Sequence, residues 1–348
     1  MIRLSVLQFR AQAATGAVAL AVFAVILAAT GPHLYGMYDS SGIAACQAHG
    51  DCVPLATSFV NNKLGGFYMV FYFVGIGLLL LVPAAIGTFW AAPLLTREFE
   101  AGTFQLAWTQ SVTRTRWLAA KLGVGVPAAM ATAGLFSLLL TWWSGPVDTA
   151  SPFAKDNSVT FLRLGYVLFP ARGITPLGYA AFAFALGVTA GVMIRHTVPA
   201  MAATLGAFLF IQIAWAIWVR PHLIQPARTF IALTAAIISN AGLAVGPGGS
   251  TIIVPSLPSM AGDWIISTQN IGPGGRPFNV NSVSACQGNS PQACINTLSS
   301  LHLRAVIAYQ PASRFWVFQW YETGIFLAAA VLLAGFCFWS IRSRRLSR

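Results

Sequence analysis

Residues 66–94 of this 348-residue chain read GFYMVFYFVGIGLLLLVPAAIGTFWAAPL, without a charged side chain. An α-helix needs about 20 apolar residues to cross the hydrocarbon core of a bilayer, so this stretch is long enough to span a membrane. The whole chain has the same character, because 57% of its residues are hydrophobic and 8% are charged, against about 25% charged residues in soluble domains. The sequence therefore predicts a polytopic membrane protein.

Five other segments are apolar enough to cross a membrane as helices. Together with the first, the predicted spans are residues 11–29, 66–94, 118–143, 177–194, 198–219 and 324–341. No ionisable side chain lies near the middle of a span, where proton- or sodium-coupled carriers keep such groups. If the protein moves a solute, the energy must therefore enter from outside the membrane domain.

The net charge of +12 does not indicate a nucleic-acid-binding protein, because the basic residues flank the apolar spans instead of clustering on one soluble face. Cytoplasmic loops of membrane proteins are enriched in Lys and Arg. Assigning alternate connections to the cytoplasm places there Arg3, Arg10, Arg97, Arg114, Arg116, Lys121, Arg195, Arg342, Arg344, Arg345 and Arg348. We therefore expect both termini in the cytoplasm, with the chain in the cell membrane.

Four of the five cysteines form two close pairs on the side assigned as extracellular. Cys46 and Cys52 lie in the first outer loop, and Cys286 and Cys294 lie in the last. Disulfides persist in oxidising compartments, so we predict the bonds Cys46–Cys52 and Cys286–Cys294. Reduced or cross-paired thiols are the alternative.

The predicted outer segments are long, whereas the inner connections are short. The outer segments are residues 31–65, 144–176 and 220–323, and the last is predicted to be an extracellular subdomain. Its apolar runs at 230–239 and 250–255 are too short to span a membrane. They fit interfacial helices, re-entrant segments or strands, and periodicity does not distinguish these.

Aromatic residues and one acid mark the outer entrance of the sixth span. Trp316 and Trp320 fit an interfacial anchoring belt, and Glu322 fits the N-terminus of a helix. The alternative is an outer gate formed by Trp316, Trp320 and Glu322.

A charged segment after the second span stands out in this apolar chain. Residues 97–121 read REFEAGTFQLAWTQSVTRTRWLAAK. If residues 97–110 form one helix, a wide apolar surface leaves a narrow polar stripe, which consists of Glu98, Gly102, Gln105 and Thr109. Such a helix is suited to lie at the membrane surface and to offer its stripe to a partner. A solvated connector without a partner is the alternative.

The same segment resembles the permease subunits of ABC-2 type transporters. Those permeases carry an acidic-x-acidic-x-Gly-Thr run, a Leu, a Thr-Pro-x-Ser-Arg-like element and a Gly-Lys before the third span. The matching residues here are Glu98, Glu100, Gly102, Thr103, Leu106, Thr109, Thr113, Arg114 and Lys121. Gln110 stands where a Pro is usual, one extra residue precedes Arg114, and Ala120 replaces the Gly.

The resemblance implies an all-α polytopic permease with six transmembrane helices, built as a single transmembrane domain over residues 1–348. In it, residues 97–116 form an amphipathic coupling helix region that docks on a cytoplasmic ABC ATPase subunit. The residues implied in this contact are Arg97, Glu98, Glu100, Gly102, Thr103, Gln105, Thr109 and Arg114. Two ATPase copies, holding ATP and Mg, and a second permease copy or paralogue in a bacterial cell membrane are also implied.

The chain has no Walker A sequence, so we expect ATP hydrolysis in the partner subunit and no cofactor in this chain. A path without charges favours export of a lipid, an antibiotic or another amphiphile. An accessory or sensory membrane protein that binds a cytoplasmic partner is the main alternative. A membrane-embedded enzyme is less favoured, because the outer-loop histidines have no metal-ligand spacing; these are His33, His49, His222 and His302.

Overall fold

The computed structural model of the chain describes residues 2–49, 52–102, 113–154, 162–246, 249–255, 260, 262–287 and 290–343. Its contacts divide the chain into two compact units. Unit 1 consists of Met1–Ile217 and Trp316–Arg348, and unit 2 of Trp218–Phe315. The long apolar helices belong to unit 1.

Helices form most of the described chain. In order they are α1 Ile2–Asp39, α2 Ile43–His49, α3 Val53–Ser58, α4 Gly65–Ala85, α5 Ala92–Glu100, α6 Arg114–Trp143, α7 Gly145–Ala150, α8 Thr175–Ile194, α9 Thr197–Ala214, α10 Ala235–Ser239, α11 Pro291–Ser300 and α12 Phe315–Ser343. The strands are β1 Ala227–Ala232, β2 Gly242–Val245, β3 Thr251–Val254, β4 Trp264–Ile271 and β5 Arg304–Gln310.

Six helical stretches within the described ranges are long and apolar enough to cross a membrane, which confirms the predicted number of spans. They are Arg10–Asp39, Gly65–Glu100, Arg114–Trp143, Thr175–Ile194, Thr197–His222 and Ala312–Ser343. The helix of the sixth span, α12, begins at Phe315, well before the predicted start of this span at residue 324. The polar side chains of Gln319 and Glu322 do not interrupt it, because both are buried in unit 1 with hydrogen-bond partners.

Helix α8 is the most enclosed of these six stretches. In its most apolar part 72% of the residues are buried, compared with 11% in the first stretch and 17% in the fifth. Glycines allow this enclosure, since a Cβ atom on Gly187 of α8 would lie 2.3 Å from the carbonyl oxygen of Gly87. Small residues of this kind let membrane helices approach closely. Helix α8 is therefore packed tightly against the second span.

The second span changes its hydrogen-bond pattern beside α8. Residues Ile86–Ala91 form a π-helical turn that joins α4 to α5. Pro83 lies just before this turn and Pro93 just after it, and proline removes a helical N–H donor. The two prolines therefore flank a π turn that lies within a continuous helical stretch.

The described residues of unit 2 form two antiparallel sheets. One has the strand order β1-β5-β4, and the other consists of β2 and β3. The runs 230–239 and 250–255 contribute to β1, α10 and β3. The all-α prediction is therefore wrong for unit 2, because the alternating burial along β1 is that of a strand with one face on an apolar core.

A side chain links the two sheets of unit 2. Asn270 of β4 is fully buried, and its side chain accepts the N–H of Ile253 at 2.6 Å and donates to the Ile253 carbonyl at 3.1 Å. Both disulfide pairings predicted from the sequence are confirmed, since the structure bonds Cys46 to Cys52 in unit 1 and Cys286 to Cys294 in unit 2.

Candidate functional site

The second span ends inside the charged segment. The N–H of Ala101 donates to the carbonyl of Arg97 at 3.0 Å, and Gly102 follows with a φ of 68°. This left-handed conformation is the usual way to end a helix, and glycine adopts it without strain. Helix α5 therefore stops at Glu100, and the predicted single helix over residues 97–110 is wrong. Of the implied ATPase contacts, Thr103, Gln105 and Thr109 lie outside the described residues.

Glu98 forms an ion pair with Lys121 of α6. The Nζ atom of Lys121 donates to Oε1 of Glu98 at 2.5 Å and to the carbonyl of Leu94 at 3.1 Å. The Lys121 side chain is 3% exposed, and its Nζ lies 4.9 Å from the centre of the Trp117 ring. A buried ammonium requires such partners because its desolvation is costly. The pair therefore attaches the end of the second span to the beginning of the third.

Glu100 binds the beginning of α9. Its Oε1 accepts the backbone N–H of Thr197 at 2.8 Å, and its Oε2 accepts the Thr197 hydroxyl at 2.7 Å. The His196 Nδ1 atom lies 3.8 Å from Oε1 of Glu100. A carboxylate at a helix N-terminus satisfies a free N–H and complements the helix dipole. Glu100 therefore caps α9 from another helix, and the Thr96 hydroxyl adds a hydrogen bond of 2.9 Å to that of Thr197.

These contacts lie at one end of unit 1, which we call the basic end. Its described charged residues include Arg97, Glu98, Glu100, Arg114, Arg116, Lys121, Arg195, His196 and Arg342. Beneath them, one apolar cluster contains Leu95, Trp117, Val192 and Ile341, which come from four different spans. The end of α5 is thus connected to its neighbours by both ionic and apolar contacts.

The implied ATPase contacts differ in exposure. Arg97 is exposed, whereas the side chains of Glu98 and Glu100 are 17% and 42% exposed and bind within the chain. Arg114 is the first residue of α6, which Thr113 caps by accepting the N–H of Arg116 at 3.3 Å. Direct contact of these residues with an ATPase stays a prediction.

The opposite end of unit 1 contains a buried ionic cluster that the sequence did not reveal. The Arg172 Nε atom donates to Oδ2 of Asp148 at 3.0 Å. The same carboxylate accepts the hydroxyl of Tyr72 at 2.8 Å and that of Ser144 at 2.9 Å. Both charged residues lie in the predicted loop 144–176, which contains five charged residues, and the sequence pattern does not indicate which of them pair. The cluster ties the second span to both ends of this loop.

The ionic state of Arg172 is secured by its partner. Burial by itself lowers the pKa of Arg172, but the Asp148 carboxylate and the Tyr72 hydroxyl outweigh it, so the pKa lies above its ordinary value. Arg172 therefore remains a cation at every physiological pH.

The predicted outer-gate residues do not share one environment. Trp316 and Trp320 are 56% and 68% exposed, whereas Glu322 is fully buried. The carboxylate of Glu322 accepts a hydrogen bond from the hydroxyl of Tyr179 in α8. One turn earlier, Gln319 accepts the backbone N–H of Thr175 at 2.9 Å and so caps α8. A gating role of Trp316, Trp320 and Glu322 stays a prediction.

The polar clusters consist of contacts between segments of unit 1. Within the described ranges, no group of three or more His, Cys, Asp or Glu side chains could hold a metal ion. The contacts Glu98–Lys121, Glu100–Thr197 and Asp148–Arg172 each join two segments that are separate in the sequence.

Comparison with known families agrees with this arrangement. The family model "ABC-2 membrane transporter related" matches residues 17–220, more than half of the chain. The matched region covers three of the six candidate spans completely, most of the first and the fifth, and the Glu98 and Glu100 contacts. No match was found among curated proteins or among solved structures. The chain belongs to the ABC-2 membrane transporter related family.

Proposed function

We propose that this chain is the membrane-spanning permease subunit of an ATP-driven ABC transporter, and that it exports a hydrophobic or amphipathic substrate. Membership of the family and the six long apolar helices support a membrane transporter permease. The proposed complex contains two cytoplasmic ATP-binding subunits and a second permease copy or paralogue. The basic end of unit 1 faces the cytoplasm in this proposal, in agreement with the enrichment of Arg and Lys on that side of membranes.

The connection of α5 to its neighbours carries the proposal. Glu98 binds Lys121 on the third span, and Glu100 binds Thr197 on the fifth. A force applied to the segment that follows Gly102 is therefore transmitted to three spans at once. An ATPase docked on that segment would move these helix ends together.

The proposed mechanism is alternating access. The ATPase subunits hold ATP and Mg and supply the energy, and their closure moves the segment after α5. Lys121 and Thr197 pass this displacement to α6 and α9. The buried Asp148–Arg172 pair keeps the opposite ends of the helices together, so the helices tilt as rigid bodies and open the path.

The chemistry of the helices supports an apolar cargo. Large exposed hydrophobic side chains of unit 1, such as Phe210, Ile213 and Leu138, provide surfaces that lipids or a second copy would cover. The predicted spans have no ionisable side chain near their middle, so a path between them offers nothing to pair with an ion. The proposal therefore assigns amphiphiles, not ions, as the substrate class.

Charge reversal at the basic end tests the coupling. In vesicles containing the permease and its ATPase, we expect E98K to lower permease-stimulated ATP hydrolysis about tenfold, the order of a typical coupling free energy. The reason is that Lys121 loses its carboxylate partner. The swapped variant E98K/K121E restores the pair and should recover most of the activity.

The exposed Asp39 provides a matched control, since D39N removes an acid far along the chain from this contact. Assembly is measured by co-purification of the ATPase. Wild-type hydrolysis in an E98K/E100K double variant that still assembles would contradict the proposed coupling. Failure of any ATPase to bind the wild-type chain would favour the accessory or sensory protein.

A further inference from the structure

Arg195 has a backbone conformation that favours glycine. It ends α8 with a φ of 61°, and its N–H donates to the carbonyl of Gly191 at 3.1 Å. Glycine, or less often asparagine, usually occupies this position, because a side chain is strained there. The two-residue connection to α9 would therefore form more easily with glycine. The backbone conformation does not explain an arginine at this position, so we looked for a role of its side chain.

The surroundings of Arg195 are basic. The two acids described at this end have partners within unit 1, since Glu98 pairs with Lys121 and the 42% exposed Glu100 caps α9. Four arginines at this end are exposed, namely Arg97, Arg116, Arg195 and Arg342. The described surface of the basic end therefore carries an excess of positive charge over the one exposed carboxylate, and it complements a partner surface that is acidic.

We propose that Arg195 is a docking residue for an acidic surface of the ATP-binding subunit. It forms a second contact near the end of α5, where Glu100 binds Thr197. This inference rests on the proposed function and adds to it the residue and the charge of the partner surface. The strained backbone is retained because the guanidinium makes bidentate bonds to carboxylates.

The position of Arg195 favours a protein over lipid headgroups. It follows the last residue of α8, the spanning helix with the largest buried share. Lipid headgroups surround the perimeter of a helix bundle, whereas the end of an enclosed helix is directed to the aqueous phase. A protein docked on this end of unit 1 from the aqueous phase would therefore contact Arg195.

The substitution R195G tests the proposal without damaging the fold. Glycine relieves the strained φ, so we expect the same or a higher thermal unfolding temperature. The matched control is H302G in unit 2, where His302 has a φ of 48°. It relieves the same kind of strain in the other compact unit. The probe is a Walker A protein that co-purifies with the wild-type chain.

We expect R195G to weaken binding of this ATPase about fivefold, as for the loss of one exposed charge pair, and to reduce the dependence of binding on salt. R195K should recover part of the affinity, and H302G should bind like the wild type. Equal affinity of R195G and wild type would overturn the proposal while leaving the proposed function intact. If the wild-type chain itself binds no ATPase, the proposed function fails first.

Nanodiscs distinguish the lipid alternative. The same binding measurement is made in phosphatidylcholine with and without phosphatidylglycerol. A docking role predicts that the R195G defect is equal in both lipids. A defect that appears only with phosphatidylglycerol would assign Arg195 to lipid headgroups and overturn the docking role.

Discussion

At the level of single residues, the buried charged side chains of unit 1 depend on partners from other segments of the chain. Lys121 and Arg172 are buried, and each faces a carboxylate from another segment of the chain. A buried ion pair stabilises little by itself, but removing one partner leaves an uncompensated charge. Substitution of one member of such a pair should therefore lower the free energy of unfolding more than substitution of both members together.

The Asp148–Arg172 pair gives a residue-scale prediction. In D148N the guanidinium of Arg172 stays buried without its carboxylate, so we expect a loss of about 3–5 kcal/mol in the free energy of unfolding. Thermal unfolding in detergent measures the effect. The matched variant D39N changes an exposed acid and should differ from wild type by less than about 0.5 kcal/mol. Equal stability of D148N and D39N would contradict the assigned pair.

At the element scale, α8 determines how closely the second span can pack. A Cβ atom on Gly187 would meet the carbonyl oxygen of Gly87 at 2.3 Å, and this backbone atom cannot move aside as a side chain would. The close approach lies beside the π turn of the second span. The two helices can therefore keep their present spacing only with glycine at position 187.

The matching element-scale prediction is that G187A destabilises unit 1. Forcing a methyl group into this contact should cost about 1–3 kcal/mol, measured as a lower unfolding temperature in detergent. G77A is the control, because a Cβ atom on Gly77 of α4 would meet no atom within 4 Å. That substitution should be neutral or slightly stabilising, since alanine favours helices. A harmless G187A would mean that the two helices are farther apart.

At the scale of the whole molecule, the charges and the disulfides imply one orientation. The basic end is expected in the cytoplasm, and the two cysteine pairs are expected on the oxidising side. These two expectations come from different residues and agree. An experiment on intact cells can test them together.

A membrane-impermeant maleimide provides this whole-molecule test. We expect Cys46, Cys52, Cys286 and Cys294 to react in intact cells after reduction and to remain unlabelled before it, because the structure pairs them. A cysteine introduced at the exposed Ala101 should react after the membrane is permeabilised. Labelling of A101C in intact cells would contradict the predicted orientation and place the end of α5 outside the cell.

Features that depend on a short stretch of sequence can be predicted without the structure. Long apolar runs predict the six spans, close cysteine spacing predicts the disulfides, and the segment beginning REFEAGT indicates the family. Each of these signals lies within a few tens of residues. They required no knowledge of which distant segments meet.

The tertiary structure decided the partners. The resemblance implies that Glu98 and Glu100 face an ATPase, which stays a prediction, and the structure adds their partners within the chain, Lys121 and Thr197, which lie 23 and 97 positions away. Likewise, Glu322 was predicted at a span entrance and is buried against Tyr179, 143 positions earlier. A charged side chain takes whichever partner the packing brings near, and burial in an apolar bundle makes that pairing obligatory. Sequence pattern therefore determined where the helices are, and packing determined what their charges bind.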